Sequence, residues 1–390
     1  MANGGKGGSK GARGAKGRGA SAPPRERQRA GRAERGGRAR RDAPSPNARP
    51  GASRREPPGA APSSPPPERA EVPRFSGPLP LMRAPVVLVT EPDADHALLD
   101  SGHGRKLERY GTVTAVRPEA QAVWPPRLSP HAWDGATATF TGATDERDDG
   151  ETKGRWAFSG DDPGEAWPMR HDGIDYWGRL TAFRHMGVFP EQAAHWRWMR
   201  EALERRPGAR VLNLFGYTGV ASLVAAAAGA EVAHVDASRK AIGWARENAE
   251  LAGLADRPVR WLCEDAMKFV AREGRRGNGY DVILADPPKF GRGPAGEVWE
   301  LFEHLPALLA GCRAILSDRP IALVLTAYAV RASFYALHGL MGETMRGMGG
   351  TVESGELLLR EASAGTHGEP RLLPTSLFSR WVADDASGTA

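Results

Sequence analysis

From residue 208 onward, short apolar runs alternate with longer segments whose apolar residues recur every three or four positions. RVLNLF (210–215), EVAHVD (231–236), VRWLCED (259–265), YDVILAD (280–286) and IALVLTAY (321–328) have the length and β-branched content of buried strands. Each is followed by a helical pattern: GVASLVAAAAGA, SRKAIGWARENAELAGL, AMKFVAREG, VWELFEHLPALLAGCRAIL and RASFYALHGLMGETM. Ser238 suits an N-cap and Gly253 lies just past the end of its helix. TVESGELLLRE and LPTSLFSRWV close the chain as two strands around a connector containing Gly and Pro. Five β-α units and a terminal hairpin predict an α/β fold: a seven-stranded, mostly parallel sheet with helices on both faces and an antiparallel terminal hairpin.

Upstream the texture differs. From about 76 to 170, short strands broken by Gly, Pro and Asp alternate apolar and polar positions, as in YGTVTAV and ATATF. They predict a small, mostly antiparallel β domain whose Trp124, Trp133, Trp156 and Trp167 pack in its core rather than stack on bases. From Pro190, PEQAAHWRWMREALERR reads as an amphipathic helix packed on the α/β domain. The expected organisation is therefore a tail at 1–74, a β domain at 75–170 and an α/β domain at 171–390.

Composition separates that tail from the rest. Residues 1–74 are mostly Gly, Ala, Arg, Pro and Ser and contain no Ile, Leu, Trp, Tyr or Phe. With nothing apolar to bury they cannot offset the entropy of ordering, which predicts disorder. They hold 18 Lys and Arg against 6 Asp and Glu, whereas the remaining residues hold 35 against 41. The basic character thus belongs to the tail. A flexible arm of this kind contacts phosphate backbones without sequence preference, and at about 5–6 Å × √n it reaches roughly 45 Å. A solubilising arm is the plainer alternative. The chain has no 18-residue apolar run and no apolar signal-peptide core, and its two cysteines, Cys263 and Cys312, lack the spacing of a metal site. A reducing compartment, the cytoplasm, is expected, with no membrane partner and no metal.

Ligands of open parallel sheets bind at the carboxyl ends of the strands, so the polar residues there carry the chemistry. The first strand ends in FGYTG (215–219), a turn with two glycines that departs from GxGxxG. The second ends in Asp236, 20 residues beyond Gly216, the spacing at which an acid accepts from a ribose diol. The third ends in Asp265 followed by Ala266, and the fourth in DPPKFGRG (286–293). Any one of these has an ordinary explanation as a turn, a cap or a strand stop. Four at successive strand ends describe a nucleoside-bearing cofactor with a reaction centre beside the fourth. Phe215 and Tyr217 leave no phosphate cradle, which favours a nucleoside without a pyrophosphate.

VLNLFGYTGVASL, Asp236, ENAELAGL (247–254) and LADPPKF together resemble the class I S-adenosylmethionine-dependent methyltransferases of the large-subunit (23S) ribosomal RNA family, over roughly residues 180–382. The resemblance implies a Rossmann-like fold, S-adenosylmethionine as cofactor and RNA as partner, ribosomal RNA or a ribosomal particle. It further implies that Phe215, Gly216, Tyr217, Thr218 and Gly219 line the methionine and ribose end. Asp236 would bind the ribose, Asp265 beside Ala266 would hold the adenine, and Asp286, Pro287, Lys289 and Phe290 would face the methyl group. FRHMGVFPEQ (183–192) resembles an element closing over the cofactor, making Phe189 and Gln192 candidate contacts, or else a plain connecting loop.

The acceptor atom follows from what the strand ends lack. Carbon-5 of cytosine needs a cysteine thiolate to add to the ring first. Here the fourth strand offers DPPKF and the fifth offers Thr326 and Tyr328, whereas Cys263 lies on the third strand and Cys312 in a helix. A base nitrogen needs no such activation. Asp286 and the Pro287 carbonyl would accept its hydrogen, Phe290 would stack on the extruded base, and Lys289 or Arg292 would meet a phosphate, unless those two cations merely keep the loop solvated. A base-nitrogen RNA methyltransferase is expected. A 5-methylcytosine enzyme, a protein or small-molecule methyltransferase, and a non-catalytic RNA-binding protein remain the alternatives.

Overall fold

The computed structural model describes residues 72–142, 153–328, 330, 332–362 and 368–384. The expected disorder of residues 1–74 therefore lies, up to residue 71, outside the described residues. The chain enters through β1 (Leu81–Thr90), then β2 (His96–Gly102), β3 (Arg105–Tyr110) and β4 (Val113–Pro118). A short α1 (Pro130–Asp134) leads to β5 (Ala138–Thr141) and β6 (Arg155–Phe158), followed by the ribbon of β7 (Trp167–His171) and β8 (Ile174–Gly178).

The α/β part begins with α2 (Ala193–Glu204), entered through a single 3₁₀ turn at Pro190–Gln192, and β9 (Arg210–Leu214). There follow α3 (Val220–Ala227), β10 (Glu231–Asp236), α4 (Arg239–Leu251), β11 (Val259–Cys263), α5 (Ala266–Arg276) and β12 (Val282–Ala285). A two-stranded ribbon, β13 (Phe290–Arg292) and β14 (Val298–Glu300), precedes α6 (Leu301–Ala314). The chain ends with β15 (Ala322–Tyr328), α7 (Phe334–Thr344), β16 (Thr351–Arg360) and β17 (Leu372–Val382). The side chain of Ser238 caps α4, accepting from the Ala241 amide at 3.2 Å, and Gly253 turns left-handed after it (φ 66°), as the sequence predicts.

The large sheet runs β1-β16-β17-β15-β12-β9-β10-β11, with only β17 antiparallel to its neighbours. The mostly parallel sheet and its terminal hairpin match the expectation, but it has eight strands rather than seven. The eighth is β1, from the stretch assigned to the β domain, which pairs in parallel with β16 about 270 positions downstream. Its register shifts between Arg83 and Val86, and Gly355 makes the approach possible, because a Cβ there would run into the Val86 carbonyl. Strands β2 to β6 form a separate sheet in the order β2-β3-β4-β5-β6, antiparallel except at β4–β5, and β7 and β8 pair with each other.

The expected boundary at 170 is crossed twice: β1 joins the large sheet, and β8 continues the ribbon past it. An ion pair and a hydrogen bond also join the two regions, with Arg371 donating to Asp100 at 2.6 Å and the Ser101 hydroxyl donating to Glu361 at 2.6 Å. Trp133 and Trp167 are buried, and Trp124 and Trp156 are half-buried, so packing rather than base stacking accounts for the first two.

Alternation along the central strands divides the core between the sheet's faces. Val211, Val282 and Val324 face α2 and α3, where Met199, Leu203 and Leu223 meet them. Leu212, Ile283 and Leu323 face the other side, where Phe269 of α5, Leu308 of α6 and Met341 of α7 meet them. Both faces are covered, so the strands need no polar side, and their carboxyl ends are where polar groups reach the surface.

Candidate active site

After β11 the chain returns to the other side of β9 to form β12, so the strand order reverses between β9 and β12. Their carboxyl ends carry FGYTG and DPPKF, at the topological switch point where such sheets bind ligands. A cleft of about 470 Å³ opens there, within the range of small-molecule sites. Of the predicted residues, Gln192, Phe215, Tyr217, Asp236, Asp265, Ala266, Asp286, Pro287, Lys289 and Phe290 line it.

Phe215 and Tyr217 adopt left-handed backbone (φ 58° and 50°), a conformation that costs about 1 kcal/mol or more for a non-glycine residue. That turn is pinned from both sides. The Tyr217 amide donates to Asp236 at 2.9 Å, and the Gly216 amide to the Val235 carbonyl at 3.1 Å. Gly216 sits against the His234 ring, where a Cβ would find Nδ1 at 2.5 Å. Asp236 also accepts from the Ser238 amide at 2.7 Å, so its carboxylate is fixed at the cleft edge. Burial pushes its pKa upward against these two donors. Asp265 caps α5, accepting from the Lys268 amide at 2.9 Å, with Ala266 buried beside it.

Thr218 and Gly219 do not reach the main cleft. The Thr218 hydroxyl donates to the Gly187 carbonyl at 2.6 Å, and Gly219 (φ 81°) is the N-cap position of α3. Together with Gly216, Thr218 borders a smaller cavity of about 70 Å³ behind the turn.

Asp286, just past the end of β12, is held by two side chains, Thr326 at the end of β15 and Gln192 in the turn before α2. Thr326 donates its hydroxyl to one carboxylate oxygen, and the Gln192 amide donates to the other at 3.1 Å and to the Thr326 oxygen at 3.0 Å. Burial raises the Asp286 pKa to about 6, and the two donors only partly oppose that rise. Gln192, expected beside the cofactor, supports this acid. Beyond Asp286 the chain forms the β13–β14 ribbon. Trp299 fixes it, donating from Nε1 to the Pro288 carbonyl at 2.7 Å and packing on Phe215 with ring centroids 5.1 Å apart. Phe290 stands 49% exposed at the mouth, with the Lys289 ammonium 5.2 Å from its ring centre.

Over the cleft, Phe189 packs on Tyr217 (5.6 Å), His185 (5.0 Å) and Tyr328 (6.2 Å). Arg184 stacks on Tyr328 and donates to its hydroxyl at 2.6 Å. His185, Arg184 and Tyr328 were not read as site residues; the aromatic spacing of FRHMGVF was the available clue. Asn248 was also missed. It accepts from the Trp177 amide at 2.9 Å and donates to the Thr218 carbonyl at 2.8 Å, tying α4 to the turn.

Cys263 is exposed at the end of β11 and Cys312 is buried in α6, its thiol pushed up to about 12. Neither lines the cleft. Among the described residues no group of His, Cys, Asp and Glu is arranged to hold a metal ion, and no helix is long and apolar enough to cross a membrane.

The fold and the site define a class I, Rossmann-like methyltransferase. A family model described as S-adenosylmethionine-dependent methyltransferase matches residues 132–318. A crystal structure of the SAM-dependent methyltransferase from Agrobacterium tumefaciens is 57% identical, covering 80% of this chain and 98% of that one with a TM-score of 0.76. The chain therefore belongs to the S-adenosylmethionine-dependent methyltransferase family. SMU.776, solved in complex with SAH, shares the fold at 17% identity and a TM-score of 0.54, over 74% of this chain and 76% of its own.

Two curated relatives are named as ribosomal RNA large subunit methyltransferases. Methyltransferase I of Aeromonas salmonicida is 31% identical over 188 residues, 48% of this chain and 44% of its own length. Methyltransferase K of Neisseria meningitidis serogroup B is 27% identical over 191 residues, 47% and 51% of the two chains. The chain spans about half the length of these relatives or less.

The cleft suits the cofactor. The Asp236 carboxylate is fixed at the cleft edge as an acceptor, Asp265 and Ala266 line the same cleft, and the FGYTG turn brings bulky Phe215 and Tyr217 to it in place of a glycine-rich loop. When bound, S-adenosylmethionine supplies an electrophilic methyl group on a sulfonium.

Proposed function

We propose that the protein methylates a base nitrogen in RNA, ribosomal RNA in particular, by direct transfer without a covalent enzyme–base adduct. The observation that carries this reading is Asp286: a carboxyl with a pKa of about 6, braced by Thr326 and Gln192, in a cleft whose lining contains no cysteine. A nitrogen lone pair attacks the methyl carbon in line, the carbon–sulfur bond breaks toward sulfur, and the nitrogen's proton passes to a base. Near neutral pH an ionised Asp286 is matched to take that proton. Exposed Phe290 stacks on the extruded base, and Lys289 and Arg292 flank it where a neighbouring phosphate would lie. Roles for Asp236 at the ribose and Asp265 at the adenine follow from their strand ends. The names of the relatives support RNA as substrate.

Incubation of the purified protein with large-subunit ribosomal RNA and trideuteromethyl-labelled cofactor, followed by nucleoside mass spectrometry, tests the reading. A labelled nucleoside methylated on a base nitrogen is expected. Label in 5-methylcytidine would overturn the non-covalent route, and label only in protein or small molecules would overturn RNA as substrate.

A further inference from the structure

His195 stands in the first turn of α2 and is 2% exposed. Neither of its ring nitrogens meets a hydrogen-bond partner among the described residues. Burying a polar ring in this way costs a few kcal/mol unless something pairs with it. Its one close aromatic neighbour is the Phe378 edge at 5.1 Å, which offers no acceptor. The ring borders the cavity of about 70 Å³ behind the FGYTG turn.

That cavity adjoins the main cleft, and Phe189, Gln192, Phe215, Tyr217 and Asp286 border both. Several other polar side chains on it are engaged. Asn213 donates to Ser222 at 2.9 Å, Thr218 donates to the Gly187 carbonyl, and Gln192 and Thr326 serve Asp286. A buried imidazole that stays neutral presents one donor and one acceptor. Desolvation and the nearby Arg380 charge keep His195 neutral, moving its pKa down to about 3.

The proposed cofactor places its nucleoside over β10 and β11 and its methyl group beside Asp286, just past β12. Its remaining part, the α-amino acid, then points toward β9, β15 and α2, where the cavity lies. We infer that His195 recognises the amino-acid end of the cofactor, a ring N–H donating to the α-carboxylate. The inference rests on S-adenosylmethionine as cofactor and is independent of the methyl acceptor.

Two ligands separate the tail from the nucleoside: S-adenosylhomocysteine, and methylthioadenosine, which lacks the amino acid. Calorimetric affinities of both are measured for the full chain and for His195→Leu and His195→Gln. His195→Leu is expected to weaken S-adenosylhomocysteine tenfold or more and to leave methylthioadenosine within twofold, while His195→Gln, with a donor and an acceptor, restores most of the loss. Unchanged affinity for both ligands, or an equal loss of both by a folded variant, would overturn the role. Should the variants not fold, histidine-labelled wild-type protein supplies the measurement. S-adenosylhomocysteine must then shift the His195 ring resonance where methylthioadenosine does not, and identical spectra would overturn the assignment. Failure of the wild-type protein to bind either ligand would instead remove the cofactor reading itself.

Discussion

Asp286 combines burial, two side-chain donors and a position at the strand-order reversal, and each has a measurable consequence. If its ionised form takes the acceptor's proton, kcat/KM rises with pH through about 6 and then levels. Asp286→Asn should lower kcat about 100-fold or more while the affinity for S-adenosylhomocysteine changes little; a rate unaffected by the substitution would remove its role. Stability should move the opposite way. The folded protein holds this carboxyl above its ordinary pKa, so its ionisation costs folding free energy as pH rises from about 4 to about 6. Asp286→Asn should therefore gain up to about 2 kcal/mol at pH 8 and almost nothing at pH 4, read from denaturant titrations at the two pH values. At the cleft mouth, Phe290→Ala should weaken RNA binding by about 1–3 kcal/mol and leave cofactor binding unchanged. Equal RNA affinity would show that Phe290 does not stack on the substrate.

In the proposed function the FGYTG turn shapes the cofactor side, and its backbone is left-handed at two bulky residues that its neighbours hold there. Gly216→Ala pushes a methyl group into the His234 ring, which already bonds Ser222 at 3.0 Å and packs on Trp261 at 4.8 Å. A loss of about 1–3 kcal/mol in thermal melting is expected, with weakened S-adenosylhomocysteine binding; an unaltered melt would mean the turn relaxes freely. Much of this element was readable in the sequence, because strand ends announce themselves when an apolar run stops at FGYTG, Asp236, Asp265 or DPPKF. What was not readable depends on contacts between distant positions. Gln192 meets Asp286 94 positions away, and Arg184 meets Tyr328 144 positions away. The β13–β14 ribbon was hidden because Trp299, which fixes it to Pro288, reads as the start of a helix.

Across the whole molecule, charge and architecture point to different tasks. The body from residue 75 is mildly acidic, and the excess of Lys and Arg lies in residues 1–74. Deleting those residues should flatten the dependence of RNA affinity on salt while leaving S-adenosylhomocysteine affinity unchanged. Cutting after Arg74 keeps Phe75, which packs 3.8 Å beneath the Arg313 guanidinium. Identical salt slopes for the two forms would limit the arm to a solubilising role. The eighth strand shows the limit of local pattern at this scale, since nothing in LMRAPVVLVT reveals that its partner is β16.

The account depends most on the acceptor being a base nitrogen. Nucleosides from large-subunit ribosomal RNA of cells lacking the gene, compared with cells carrying it, test this most directly by mass spectrometry. The account predicts loss of one nucleoside methylated on a base nitrogen, a methylpurine first among them, and its return with the wild-type gene but not with Asp286→Asn. Loss of 5-methylcytidine, or no change in any methylated nucleoside, would contradict it.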